Sequence, residues 1–215
     1  MRALLPCSPG TDLPARLVVA PERAARPELL IADAKAWRTW LSDHRESDGV
    51  RLVLAKKVGG GPTTLIHSEA LEEALCFGWI DGQGASRDER TWSVLFTPRR
   101  RRSLWSKRNV EHAERLLAEG RMDPAGIAEL ERAKADGRYQ AAYSGPATIE
   151  VPPDLAAALK ANPKASAMFQ KLNSQNRYAI LYRITTARRE ETKAKRIKQF
   201  VDMLARGETI YPQPG

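Results

Sequence analysis

The sequence predicts an α+β fold: a small antiparallel sheet with two helices in the N-terminal half, followed by an all-helical C-terminal half. Three observations predict it. Between Val50 and Thr97, short runs with a two-residue apolar period are bounded by Gly, Pro and Asp, the pattern of strands. After Ser103 the spacing becomes helical, clearest where Ile197, Phe200, Val201 and Leu204 recur at i, i+3, i+4, i+7. Nowhere do strand and helix alternate for long enough to build a doubly wound parallel sheet.

The elements follow in order. Residues 1–27 carry Pro6, Pro9, Pro14, Pro21 and Pro27 with little periodicity, so they read as a flexible extension. Asp33 is placed to cap a helix through about His44, with Trp37, Trp40 and Leu41 on one face. Val50–Lys56 is a strand, Gly59-Gly60-Gly61-Pro62 a turn and Thr63–Ile66 a second short strand. Ser68 is placed to cap a helix whose Glu69, Glu72 and Glu73 suit its positive end and which Gly78 stops. Trp79–Gln83 and Thr91–Thr97 are strands across a polar corner, and Pro98 ends the second. Helices then run from Ser106 to Glu119 and from Asp123-Pro124, an N-cap followed by a first-turn proline, to Gly137. Pro146–Val151 is extended. Helices at 154–160, 163–172, 174–186 and 189–206 complete the chain. The expected organisation is an extension at 1–27, a mixed unit with the sheet at 28–104, and a helical unit packed on it at 105–215.

Composition narrows the class. A hydrophobic content of 42% with 28% charged residues is that of a soluble globular protein. No apolar run approaches the roughly 18–20 residues of a membrane helix, and Met1–Gly10 lacks a signal-peptide core. Cys7 and Cys76 are poor disulfide candidates. The expectation is a cytoplasmic protein.

Charge is local. The chain carries a formal +9, from 35 basic and 26 acidic side chains. Arg99–Arg108 holds six basic residues and no acidic one, and Arg188–Lys198 holds six against Glu190 and Glu191. Concentration of that kind marks a binding surface rather than general solubility. The first segment lies where a strand ends and a helix begins, so Ser103 or Ser106 is placed to cap the helix. Free N–H groups there, with guanidiniums and the face of Trp105, suit an anion. Trp79 and Asp81 enter the neighbouring strand, and Asp81 is placed either to hold an arginine or a substrate donor, or to bond its own turn. The candidate ligand surface is therefore Trp79, Asp81, Arg99, Arg102, Ser103, Trp105, Ser106 and Asn109. The competing reading is a solvated basic turn, with Trp105 anchoring the helix to the sheet.

Other chemistry finds little support. His44, His67 and His112 are scattered, with no zinc spacing and no partner for Cys76 as a nucleophile. Phosphate-loop, dinucleotide and nucleophile-elbow motifs are missing. No catalytic residue, metal or cofactor is expected.

Leu75-Cys76-Phe77-Gly78-Trp79-Ile80-Asp81-Gly82, Phe96-Thr97-Pro98-Arg99, the spaced Ser103, Trp105, Ser106 and Asn109, and Gly120-Arg121-Met122 before Pro124-Ala125-Gly126 resemble the YdeI/OmpD-associated (bacteriocin-protection) family of bacteria. Trp37-Arg38, Ala55-Lys56-Lys57, the run from Ala133 to Arg138, and Asn176-Arg177-Tyr178 fit the same pattern, so the resemblance spans about 28–211. Arg101-Arg102 makes the loop more basic than that family's usual pattern, and Lys193 and Lys195 stand where arginines are common. The resemblance implies a cytoplasmic protein linked to tolerance of bacteriocins or antimicrobial peptides and to stress, with no known catalytic residues. The leading expectation is a non-enzymatic protein binding an anionic small molecule or partner protein. Nucleic-acid binding through the two basic segments is the alternative, and an enzyme of unknown reaction the third.

Overall fold

A computed structural model describes residues 26–57 and 61–213. The extension expected at 1–27 falls almost wholly outside the described residues, as does the first half of the turn expected at 59–62. Four strands, β1 (Glu28–Leu29), β2 (Val50–Ala55), β3 (Trp79–Ser86) and β4 (Thr91–Pro98), form one sheet in the order β1-β2-β4-β3. Eight helices accompany them among the described residues: α1 (Ala34–Asp43), α2 (His67–Cys76), α3 (Lys107–Ala118), α4 (Pro124–Ala135), α5 (Pro153–Lys160), α6 (Pro163–Gln170), α7 (Ser174–Thr185) and α8 (Glu190–Ala205). The fold is α+β.

Three local expectations are corrected. The sheet is not wholly antiparallel, because β1 lies parallel to β2 with Leu29 beside Leu52. Thr63–Ile66 is extended but stands outside the sheet: the Ala55 amide reaches the Leu65 carbonyl at 2.9 Å, and the Thr64 amide reaches Ala32 at 2.9 Å. Helix α2 begins one residue before Ser68. Ile66 stands at the N-cap, where it has no side-chain acceptor, so the capping expected of the serine is not made; Glu69 instead accepts from the Ile66 amide at 3.3 Å.

The central ladder pairs Val50 with Phe96 through to Ala55 with Thr91, and β3 runs antiparallel along the other side of β4. Its register shifts between Asp81 and Gly84, beside the ring of Trp92. A Cβ on Gly84 would stand 2.7 Å from that ring, so the sheet needs glycine there. Trp37, Leu41, Leu52, Leu54 and Phe96 are fully buried over one side, where α1 and α2 pack. Each such side chain contributes about 1.5–3 kcal/mol. Helices α3 and α4 join the same core through Ala113, Leu116, Leu130 and Ala133. Gly126 lets α4 meet the end of α2, since a Cβ there would fall 2.1 Å from the Cys76 carbonyl oxygen. A second core gathers Leu155, Phe169, Ile180, Ile184, Ile197, Phe200 and Leu204 from α5–α8. The two hydrophobic clusters therefore separate after α4, and the connection between them carries Arg138 and Tyr143.

Candidate functional site

Pro98 ends β4, and the chain turns sharply over the next five residues. The Arg99 amide donates to the Gly78 carbonyl at 2.9 Å, tying the turn to the start of β3. Ser103 closes it: its hydroxyl accepts from the Arg100 amide at 2.9 Å, and its own amide donates to the Arg100 carbonyl at 2.9 Å. Ser106 then caps α3, accepting from the Asn109 amide at 3.1 Å. Asn109 is buried on the first turn of that helix.

Closing the turn drives Arg99 inward. Its guanidinium lies 3.7 Å from the centre of the Trp105 ring and donates through Nη1 to the Leu104 carbonyl at 3.1 Å. Only 6% of Arg99 and 1% of Trp105 remain exposed. The Nε and Nη2 groups of Arg99 and the Trp105 indole N–H have no hydrogen-bond partner among the described residues, and no carboxylate is within ion-pair reach of Arg99. Burial pushes the Arg99 pKa down to about 10, against the opposing influence of Tyr143 and Asp81, and nearby Arg138 pushes the same way as burial. At neutral pH the group stays charged.

A second buried arginine approaches the same turn. Arg138, just past α4 and 4% exposed, donates through Nη1 to the Ser103 carbonyl at 3.1 Å. The same nitrogen meets Glu129 at 2.9 Å, and Nε meets Asp136 at 2.8 Å. Its Nη2 has no partner. Two guanidiniums therefore grip consecutive carbonyls, Ser103 and Leu104. Two carboxylates attend Arg138, and Glu129 is shared with Arg132; Arg99 has none. Tyr143 completes the arrangement, its amide donating to the Trp105 carbonyl at 3.0 Å and its carbonyl accepting from Lys107 at 2.9 Å. A cavity of about 330 Å³ opens on the Arg138 side of this turn, lined among others by Leu104, Asp136, Arg138, Thr185 and Arg188; Arg99 and Trp105 lie behind it and do not line it.

Of the eight residues expected at the surface, the structure brings Arg99, Ser103, Trp105 and Ser106 together in this turn. It places the others elsewhere. Trp79 is 3% exposed and packs edge-on against Trp37 and Trp40 at 6.3 and 6.0 Å, so the two indoles do not share one open patch. Asp81 bonds His67, with 3.0 Å between its Oδ2 and the ring Nε2. Arg102, like Arg100 and Arg101, points to solvent. Asn109 faces the core side of α3. Arg138 and Tyr143 were not expected at this turn; both are distant in sequence, and although Arg138 belongs to a run that fits the family resemblance, nothing in its spacing places it here.

The arrangement offers buried, unpaired N–H donors of two like charges, with an aromatic face beside one of them. That is the chemistry of an anion site. No group of three or more His, Cys, Asp or Glu side chains is placed to hold a metal among the described residues. No helix among them is long and apolar enough to cross a membrane.

Residues 148–207 match the family model described as Bacteriocin-protection, YdeI or OmpD-Associated. The match covers the C-terminal part of the chain, 60 of its 215 residues. It takes in α5–α8 and the second hydrophobic core. Residues 29–129, which hold the sheet, α1–α3 and Arg99, match a separate model, a Domain of unknown function (DUF8412). The motifs between Leu75 and Gly126 that resemble the YdeI/OmpD-associated family thus lie in a segment matched by a different family, while Asn176-Arg177-Tyr178 lies inside the YdeI/OmpD-associated match. Arg138 and Tyr143 fall between the two matches. Neither a curated protein nor a solved structure matches the chain.

Proposed function

We propose that the chain is a non-enzymatic, cytoplasmic binding protein of the YdeI/OmpD-associated type that takes up an anionic group where Arg99 and Arg138 meet the Ser103–Trp105 turn. The observation that carries this reading is the Arg99 guanidinium, 6% exposed, with two N–H groups unpaired and no carboxylate in reach among the described residues. A buried cation without a counter-charge is costly, commonly by several kcal/mol. An anion reaching it would remove much of that cost and satisfy the free donors. Arg188 lines the neighbouring cavity with Arg138 and supplies a third cation, set against the carboxylate of Asp136 in the same lining.

A role in bacteriocin tolerance would then be indirect. The chain carries +9 and would repel a cationic peptide rather than sequester it. Inorganic phosphate is the simplest probe, titrated calorimetrically at constant ionic strength. Saturable binding that is weakened by Arg188→Ala and untouched by Arg102→Ala supports the proposal. Absence of saturable binding, or equal loss in both variants, overturns it. The exposed Arg100–Arg102 would serve a nucleic acid instead, and binding there would fall linearly with salt on a log–log plot and be lost in Arg102→Ala.

A further inference from the structure

We propose that a second cavity, of about 520 Å³ along α7, is a binding site for a small aromatic carboxylate. It lies within and beside the YdeI/OmpD-associated match and is independent of the Arg99 site. Its volume is in the range of small-molecule sites, roughly 300–1,000 Å³.

Aromatic rings form the walls. Tyr178 and Tyr182, one helical turn apart on α7, hold their ring centres 5.7 Å apart, and Tyr211 contributes a third ring. Tyr182 is braced from the other side by the edge of Tyr143, at 5.0 Å and 85°. Rings so held present their faces without losing much side-chain freedom when a planar ligand enters. Burial raises the Tyr178 pKa, so its hydroxyl remains a donor at neutral pH.

The charge comes from Arg183. Its Nη1 donates to the Ala179 carbonyl at 2.9 Å, and its Nη2 lies 3.5 Å from the Tyr211 hydroxyl. No carboxylate is within ion-pair reach of it among the described residues, and α7 itself contains no acidic residue. One planar cation beside aromatic walls matches a ring that bears one planar anion.

The wall supplied by Tyr211 is fixed from behind by a side chain with no exposure at all. Asn176 accepts from the Tyr211 amide at 2.9 Å and donates to the Tyr211 carbonyl at 3.0 Å. Gln213 accepts from the Asn173 amide at 3.1 Å and from Asn176 at 3.0 Å, holding the same strap on the start of α7. A buried amide that binds a tail's backbone in both directions is a device for placing the ring that follows it, and that ring closes the cavity.

Three probes separate the contributions: benzoate, uncharged benzamide, and cyclohexanecarboxylate, which keeps the charge but has a saturated, non-planar ring in place of the aromatic one. Binding to the full chain is followed by ligand-observed NMR and calorimetry. Benzoate is expected to bind about tenfold or more tighter than either control. Arg183→Gln should bring benzoate down to the benzamide level, and Tyr211→Ala, at a 38% exposed position, should weaken both aromatic probes with the fold intact by circular dichroism. Arg99→Met should leave all three unchanged, which keeps failure here distinct from failure at the phosphate site. Equal binding of the three probes, no saturation by about 10 mM benzoate, or unchanged benzoate affinity in a folded Arg183→Gln or Tyr211→Ala variant overturns the proposal.

Discussion

Replacing Arg99 with methionine keeps an unbranched apolar stem and removes the guanidinium and its charge, so it separates a ligand-seeking arginine from one that holds the turn. The displacement of the Arg99 pKa to about 10 corresponds to about 3 kcal/mol against the charged form in the folded state. Because the folded pKa is depressed, that cost is fully present at any pH below about 10 and is relieved only as pH rises through it. Buffers at pH 7 and 8 are therefore equivalent. Against it stand a stacking contribution from Trp105 of about 1–2 kcal/mol and a charged hydrogen bond to Leu104 of about 1.5–3 kcal/mol. The terms nearly cancel. Arg99→Met should change stability by no more than about 2 kcal/mol in buffer without a multivalent anion. In phosphate at about 100 times its dissociation constant the wild type should gain about 2.7 kcal/mol, which is about 5–10 °C in Tm for a chain of this size. Phosphate also stabilises proteins generally by exclusion from their surfaces. The quantity to read is thus the difference between wild type and variant, by circular dichroism melts in phosphate and in sodium chloride of equal ionic strength. A loss of about 3–5 kcal/mol in Arg99→Met with no phosphate-specific difference would refute the reasoning and make Arg99 a structural residue.

Other perturbations test the frame around the site. Gly126→Ala should cost about 3 kcal/mol in urea unfolding, because its Cβ would meet backbone at 2.1 Å rather than a movable side chain. Arg138→Ala should cost about 1–3 kcal/mol by the same assay, since it leaves the Ser103 carbonyl without its donor and buried Glu129 with Arg132 as its remaining partner. The carboxyl of Asp88 is held down to about 2, chiefly by the Thr91 hydroxyl, and that of Asp123 is also lowered, chiefly by Arg45. Both lose their contribution as pH falls from about 4 through those lowered values, so an Asp88→Asn, Asp123→Asn variant should show a flatter acid slope of stability than the wild type.

The local grammar of the chain was legible where a single residue decides the geometry. Asp33 and Asp123 cap their helices as the sequence implies, with amides at 2.8 and 3.0 Å, and Ser106 caps α3. The stripe of Ile197, Phe200, Val201 and Leu204 is buried. Elements whose identity depends on a partner were not legible. Glu28–Leu29 has no period of its own and becomes a strand because β2 lies beside it, whereas Thr63–Ile66 has the composition of a strand and hydrogen bonds only at scattered points. The site divides in the same way. Arg99 and Trp105 are close in sequence, and a strand end followed by a capped helix forces them together. Arg138 is brought to that turn only by the packing of α4, and Trp79 is withdrawn from it by the aromatic cluster on α1. Neither event leaves a trace in residue spacing.

The most direct measurement is an arginine side-chain Nε–H spectrum recorded through a phosphate titration. Arg99, whose Nε–H is buried and unpaired, should move to a saturating limit, with the Trp105 indole N–H following the same curve, while the solvent-facing Arg100, Arg101 and Arg102 drift without saturation. An Arg99 resonance that stays still while those three saturate would contradict the account.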